Sequence, residues 1–352
     1  MKVETYKGKL LHEPWEVKKQ DGALFRVFTA FWRASRALPD AGEPLPAPAR
    51  LDSATAAAEP TTLEALGLLP QVDWAAGLRE KWTPGEAGAH ERLHRFVEAG
   101  LTRYGTDRNI PGIESTSKLS PYLRFGEVSP RQLMAAAVSA AGAPGDVDKF
   151  LAEIGWREFS YSLLYANPKL ATDNIDARFD AFPFRDAPED ELDAWRYGRT
   201  GYPIVDAGMR ELARTGYMHN RVRMVTASFL IKHMLVDWRV GEAWFWDCLC
   251  DADPANNPAS WQWVAGSGAD AAPYFRIFNP IIQGTKFDPE GAYVRLNVPE
   301  LARMPDRWIH EPWAAPSAVL RAAGVSIGGN YPAPIVEHPF ARQRALDAFA
   351  KV

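Results

Sequence analysis

The sequence predicts a mainly α-helical protein, and three observations carry that prediction. Stretches with apolar residues at three- and four-residue spacing recur after about Leu69, and each ends near Gly, Asn or Pro. Strictly alternating stretches, which would make half-buried strands, are few. The 352 residues are 47% hydrophobic and 24% charged, enough to bury a substantial core and unlike disordered, collagenous or secreted mini-protein compositions. Length alone allows one large domain or two or three smaller ones, because cores stop growing at roughly 250 to 300 residues.

Taken in order, residues 1 to 38 read as strand-like pieces around turn signals. KKQDGALFRVFTAFW places a turn at Asp21-Gly22 and an extended run after it, too little for a sheet domain of its own. From Leu38 to about Leu69 the composition shifts to Pro, Ala, Glu and Thr, the mark of a surface linker with helix only towards its end. AHERLHRFVEAGL, SPRQLMAAAVSAAG, VDKFLAEIGWREFSYSLLYAN and YPIVDAGMRELARTG then each read as helices. No internal repeat marks a solenoid. Between Asp251 and Pro273 the pattern changes to DADPANNPASWQWVAGSGADAAP, whose Pro, Asn, Gly and Ser content forbids a long uninterrupted helix. Long irregular segments inside compact domains are often binding loops, so this is the first place to look for a ligand.

Composition narrows the function classes. Two cysteines, Cys248 and Cys250, build no disulfide framework and no four-thiolate cluster; two apart in a helical-looking stretch, they read as reduced packing residues in a cytoplasmic protein. The N-terminus carries charges where a signal peptide needs an apolar core, and the most apolar run, MVTASFLIKHMLV, is interrupted by Lys232 and His233, so neither export nor membrane spanning is expected. Net charge −4 argues against a uniformly basic nucleic-acid binder but not against a local patch. Thirteen Trp, five of them crowded between Trp238 and Trp263, suit core anchors. Walker, GxGxxG and GxSxG motifs are absent, and seven His without Cys partners make a structural zinc unexpected.

Three constellations have both a bland and a functional reading. Thr116-Ser117-Lys118-Leu119-Ser120 sets hydroxyls beside N–H groups at a helix start, which suits phosphate but also a simple N-cap. FLAEIGWREF puts Glu153, Trp156 and Arg157 within one helical turn, either a core Trp beside a surface ion pair or a recognition face. In GYMHNRVRMVTASFL, Asn220, Arg221, Arg223 and Met224 share a helix; its arginines make surface ion pairs or, with Arg276 and Lys286, a phosphate-tracking patch.

The run TGYPIVDAGMRELARTGYMHNRVRMVTASFL, then DWRVGE, then DADPANNPASWQWVAGSGADAAPYFRIFNPIIQGTKFD, resembles the FAD-binding domain of the photolyase/cryptochrome family, and most of all the bacterial cyclobutane pyrimidine dimer photolyases. The resemblance runs from the first residues to about Pro312. It implies a helical FAD- and DNA-binding catalytic domain over 76–352, a linker over 39–75, and in residues 1–38 only the closing segment of the family's α/β domain. No folate or deazaflavin antenna is therefore expected.

By this resemblance Tyr104, Thr116, Ser117, Lys118, Leu119, Ser120, Arg157, Asn220, Arg223, Asp251 and Asp253 hold FAD, active as FADH⁻, and Asn257 faces flavin N5. A neutral amide there serves the reduced ring without the repulsion of a carboxylate. Glu153, Trp156 and Met224 match positions that hold a flipped-out dimer, which must leave the duplex to reach a buried flavin. Arg108, Arg221, Arg223, Trp263, Arg276 and Lys286 address the surrounding DNA. A (6-4) photolyase would carry His near the lesion, a role for which His219 alone is a weak candidate. Trp261 and Trp238 match the inner members of a photoreduction chain, while Phe184 stands where many relatives have the outer Trp, so Trp195 or Tyr197 would end the relay or photoreduction would be slow. The implied activity is light-driven repair of pyrimidine dimers in UV-damaged DNA by a monomeric, cytoplasmic, nucleoid-associated lyase. The alternative is a cryptochrome-like photoreceptor, against which Asn257 in place of Asp counts.

Overall fold

The computed structural model describes residues 3–4, 6–39, 42, 44–50, 61–62, 64–68, 72–140, 142–270 and 275–352. Sixteen α-helices run through them: α1 (Phe28–Arg36), α2 (Ala76–Lys81), α3 (Glu86–Arg95), α4 (Tyr104–Asp107), α5 (Ser120–Phe125), α6 (Pro130–Ser139), α7 (Pro144–Ala166), α8 (Glu189–Arg196), α9 (Pro203–Thr215), α10 (Asn220–Ser228), α11 (Trp238–Cys248), α12 (Asn256–Ala265), α13 (Pro280–Phe287), α14 (Ala292–Asn297), α15 (Ser317–Ala323) and α16 (His338–Phe349). Among the described residues the single β feature is an isolated bridge between Ile327 and Tyr331. The helical fold class read from periodicity is what the chain adopts.

The expected turn closes at Gly22, whose N–H donates to Lys19 O (2.9 Å) and whose φ is +80°. The extended run expected after it is wrong from Phe28 onward. Phe28, Phe31 and Trp32 form a three- and four-residue stripe that docks on α7, and burial of that stripe overrides the local strand propensity. Of the 39–75 linker, the described residues hold a 3₁₀ turn at Glu64–Leu66 and no other helix; the part of that expectation on 40–41, 43, 51–60, 63 and 69–71 lies outside the described residues. The Asp251–Pro273 segment is also more helical than expected: α12 fits inside it, begun by N–H donation to Asp253 and ended at Gly266 (φ +101°). Cys248 closes α11, but Cys250 lies beyond it and donates its N–H to Gly216 O (2.8 Å). Both thiols are free, and burial pushes them up to about 11 and about 12.

α7 is the axis of the molecule. Pro144 starts it and Asn167 ends it, and at about 1.5 Å per residue its 23 residues span about 34 Å. Phe150, Leu151 and Ile154 face one core with α3 to α6, whereas Phe159 and Leu163 face a second with Phe31 and Ala259. Gly155 lets α1 approach closely, since a Cβ there would sit 2.6 Å from the Trp32 ring. Upstream of α1, Glu158 accepts from the N–H groups of Leu11 (2.8 Å) and His12 (3.4 Å) and pins that segment to α7. The largest core gathers α9 to α12, α14 and the chain's last third.

A fully buried carboxylate locks that core. Asp206 accepts from Thr200 N (2.7 Å), Thr200 Oγ1 (2.6 Å), Gly201 N (3.1 Å) and Tyr331 Oη (2.8 Å). Asp206→Ala strands these donors without water, and stranded buried groups cost about 1 to 3 kcal/mol each. A loss of at least about 3 kcal/mol is expected, read as a lower urea midpoint at unchanged slope; a midpoint within 0.3 M of wild type, in order of magnitude under about 1 kcal/mol, would contradict this.

Candidate functional site

Four segments close into a ring through polar clasps between side chains. Arg221 of α10 donates to Asn109 Oδ1 (2.5 Å), just beyond α4. Arg108, also just beyond α4, pairs with Glu153 of α7. One helical turn past Arg157, Tyr161 donates to Asp253 at the start of α12. Asp251 returns the ring to α10 by a two-pronged ion pair with Arg223, Nη1 to Oδ1 at 3.0 Å and Nη2 to Oδ2 at 2.9 Å. Ser120, first residue of α5, also donates to Asp251 Oδ2 (2.5 Å). Residues from 108 to 253 in sequence are thus drawn together.

Each clasp has a local cause. Asp253 lies where the first N–H groups of α12 need acceptors, and its Oδ1 takes Ala255 N and Asn256 N, both at 2.9 Å. Burial alone would raise its carboxyl, but the Tyr161 hydroxyl and these N–H donors outweigh it and hold the group below the usual carboxylate range. His219 caps α10, its Nδ1 accepting from Arg221 N (3.2 Å). Lys118 has φ +51° and Leu119 is right-handed, a pair that turns successive N–H groups to one side, as in an anion-binding nest.

The placement refines several expectations. Glu153 pairs with Arg108 and not with Arg157, which meets Glu158 Oε1 (3.2 Å) and Lys9 O (2.8 Å). The Lys118 ammonium is held by Glu114 (2.5 Å), so its backbone, and not its charge, is what the loop offers. Leu119 is buried and Ser117 Oγ turns back to Leu119 N (3.4 Å). Tyr104 is buried under the Arg108 guanidinium, 5.4 Å from its ring. Asn220 is exposed at the start of α10, and Met224 is half-buried one turn on, outside the hydrophobic cores. Trp156 lies flat on Phe28, with centroids 3.8 Å apart and planes 9° apart.

A cationic margin adjoins the ring. The Arg221 guanidinium lies 4.3 Å and Lys286 Nζ 5.3 Å from the Phe287 ring centre, and Arg276 lies 5.6 Å from that of Trp263, whose Nε1 donates to Asp270 O (3.1 Å). Burial, followed by the charges of Arg108 and Arg276, lowers Arg221's hold on its proton. Like charges crowded this way are what a polyanion relieves.

Among the aromatics, Trp261 and Trp238 are both buried. Gly241 of α11 allows the Trp261 ring to lie against that helix, since a Cβ there would sit 2.1 Å from it. Trp195 meets Trp261 edge-on at 6.4 Å, and Phe245 touches both, at 6.1 and 5.0 Å. Tyr197 is exposed and meets Trp244 at 6.1 Å, while Phe184 packs on Phe182 at 4.6 Å.

Sequence reasoning missed Tyr161, Phe28, Asn109 and Glu242, whose Oε1 and backbone O both accept from Asn257 Nδ2, at 2.9 and 3.0 Å. Tyr161 was within reach, because Glu153, Arg157 and Tyr161 continue one i, i+4 row. No local pattern signals the others. A large anionic cofactor fits this donor set: Thr116 Oγ1 and Arg157 Nη2 are buried without hydrogen-bond partners, and Asn257 Oδ1 accepts from no described group. Among the described residues no cluster of His, Cys, Asp or Glu could hold a metal, and no helix is long and apolar enough to cross a membrane.

Residues 150–351 match the family described as the FAD binding domain of DNA photolyase. The deoxyribodipyrimidine photo-lyase of Agrobacterium fabrum is 50% identical over 353 residues, 99% of this chain and 74% of that protein. The crystal structure of a bacterial class III photolyase from Agrobacterium tumefaciens superposes with a TM-score of 0.94 at 50% identity, over 97% of this chain and 72% of that one. Cryptochrome-2 of Arabidopsis thaliana is 40% identical over 363 residues, 99% of this chain but 59% of that protein. The matched domain is described as one that binds FAD, which makes this a flavin-binding class of protein. The chain belongs to the DNA photolyase/cryptochrome family.

The capping histidine makes the site acid-sensitive. Burial, then the charges of Lys118, Arg223 and Arg221, pushes His219 down to about 3; burial and His338 do the same to His233. An unfolded His titrates near 6.5, so on acidification the unfolded chain takes up the proton first. Their contribution is full above about pH 6.5 and is lost as pH falls towards about 3, at about 1.4 kcal/mol per pH unit for each histidine. His219→Asn keeps a capping acceptor and is expected to remove one histidine's share of this slope. Urea unfolding from pH 4.5 to 7.5 checks it, and an unchanged slope would count against the assignment.

Proposed function

We propose that this protein repairs cyclobutane pyrimidine dimers in UV-damaged DNA, using blue light. The observation that carries this reading is the ring closed through Arg108–Glu153, Arg221–Asn109, Tyr161–Asp253 and Arg223–Asp251, which has unpartnered polar groups that suit FAD and a cationic margin. Its helices α7, α10 and α12 also carry Trp156, Met224 and Asn257. The photo-lyase likeness at 50% identity supports repair over signalling, as does an amide and not a carboxylate at Asn257. The likeness to cryptochrome-2 supports photoreception as the competing reading.

In this reading Thr116, Arg157, Arg223 and the 117–119 backbone bind the cofactor, with Asp251 keeping Arg223 in place. FAD held there in its reduced form would supply light-driven one-electron chemistry with no net redox change. Trp156, braced from behind by Phe28, offers a flat surface for a swung-out base, and Met224 an apolar one. Arg108 holds the Glu153 carboxylate for hydrogen bonding to the lesion. Arg221, Arg276 and Lys286 grip the flanking phosphates. For photoreduction we assign Trp261 and Trp238 as inner relay members. Trp195, which is buried against Trp261 and has no contact with Trp238 among the described pairs, is assigned as a side branch of the relay and not as a surface replacement for the outer Trp missing at Phe184.

The direct test is illumination of protein loaded with reduced FAD and bound to a dimer-containing oligonucleotide. Restoration of intact pyrimidines is expected; binding without restoration would leave the photoreceptor reading. Trp156→Ala should weaken binding to dimer-containing DNA by about 1 to 3 kcal/mol, with smaller loss on undamaged DNA, measured by titration. Trp261→Phe should leave repair by chemically reduced protein nearly intact while slowing photoreduction. Trp195→Phe should do the same, and an unaltered photoreduction rate in it would remove Trp195 from the relay.

A further inference from the structure

We infer that Glu242 is a positioning residue that fixes the Asn257 amide with its carbonyl oxygen turned to the cofactor, so that the protein favours the reduced, N5-protonated flavin. The inference rests on the reading of Asn257 as the residue facing N5.

The two hydrogens of an Asn amide are its whole donor capacity. In this structure Nδ2 meets two acceptors of one residue, Glu242 Oε1 (2.9 Å) and Glu242 O (3.0 Å). The remaining polar atom, Oδ1, has no partner among the described residues. Rotating the amide by half a turn would set Oδ1 against two acceptor oxygens and leave Nδ2 facing the cofactor. The residues are buried, Glu242 at 9% and Asn257 at 8% exposure, so water does not relieve that mismatch.

Backbone placement makes the lock one-sided. Gly241 lets α11 lie against α12 at the Trp261 ring, and Glu242 follows it directly, brought to the amide by that close approach. An oxygen facing N5 accepts from N5–H when the ring is reduced and opposes the N5 lone pair when it is oxidised. An –NH₂ would do the reverse. Glu242 therefore decides which redox form the amide favours while contributing no atom to the cofactor contact.

Paired variants separate this from charge. Glu242→Gln removes the carboxylate charge but retains an acceptor oxygen; Glu242→Leu removes both. On flavin-loaded protein, the ratio of reduced to oxidised cofactor at a fixed potential should be about tenfold lower in Glu242→Leu than in Glu242→Gln, about 30 mV for a two-electron couple. The difference should vanish when both are combined with Asn257→Ala. Equal potentials, or a difference that persists without Asn257, would overturn the inference. In wild-type protein labelled at Asn, the Asn257 amide protons should also exchange with solvent at least tenfold more slowly than those of exposed Asn220; equal exchange would overturn it even if Glu242→Leu does not fold. Failure of the wild-type protein to retain flavin would instead overturn the function proposed above.

Discussion

The ion pair between Asp251 and Arg223 is the constraint on which the site depends. It joins the end of the α11–α12 connection to α10, draws in Ser120, and buries the carboxylate side chain to 4% exposure. Removing one partner from such a pair leaves an uncompensated charge away from water, at a cost of about 3 to 5 kcal/mol. The two-pronged geometry also fixes direction, because a guanidinium fork meets a carboxylate in one plane. With α10 set in this way, Arg221 reaches Asn109 and Met224 lies one turn from the helix start. The remaining clasps then fall within reach.

Around that polar ring the aromatic residues do two kinds of work. Phe28, Phe31 and Phe159 pack at the face of α7 that carries Trp156, so that ring is held rigidly. Trp195, Phe245 and Trp261 form a separate buried group beneath the α12 side of the ring. Rigid placement suits the role proposed for each: stacking on a preset ring needs little ordering at the moment of binding, and a relay needs its rings held near one another. Glu242 and Gly241 extend the same logic to a single amide, where a close approach of two helices settles the orientation of one side chain.

Much of this was legible because helices repeat every 3.6 residues. The α7 and α9 periodicities placed Glu153, Trp156 and Arg157 on a helix, and Arg221, Arg223 and Met224 shared one with Asn220. The segment around Asp251 and Asn257 stood out through its polar composition, although its interior proved helical once Asp253 supplied acceptors for the first turn. What was not legible were the pairings. Glu153 with Arg157 looked plausible at i, i+4, yet Glu153 chose Arg108, and Arg157 turned to Glu158 and Lys9. Likewise, α1 read as extended because its helical stripe is meaningful only against α7.

By itself the sequence determined the helical class, the chemical types gathered along each helix, and the family resemblance of its motifs, since all of these reside in residue identity and short-range spacing. Tertiary structure alone decided who partners whom: Tyr161 with Asp253, Asp251 with Arg223 and Ser120, Asn257 with Glu242. Such choices depend on which buried polar groups lack water once distant helices pack, and each group takes the partner that packing brings within about 3 Å.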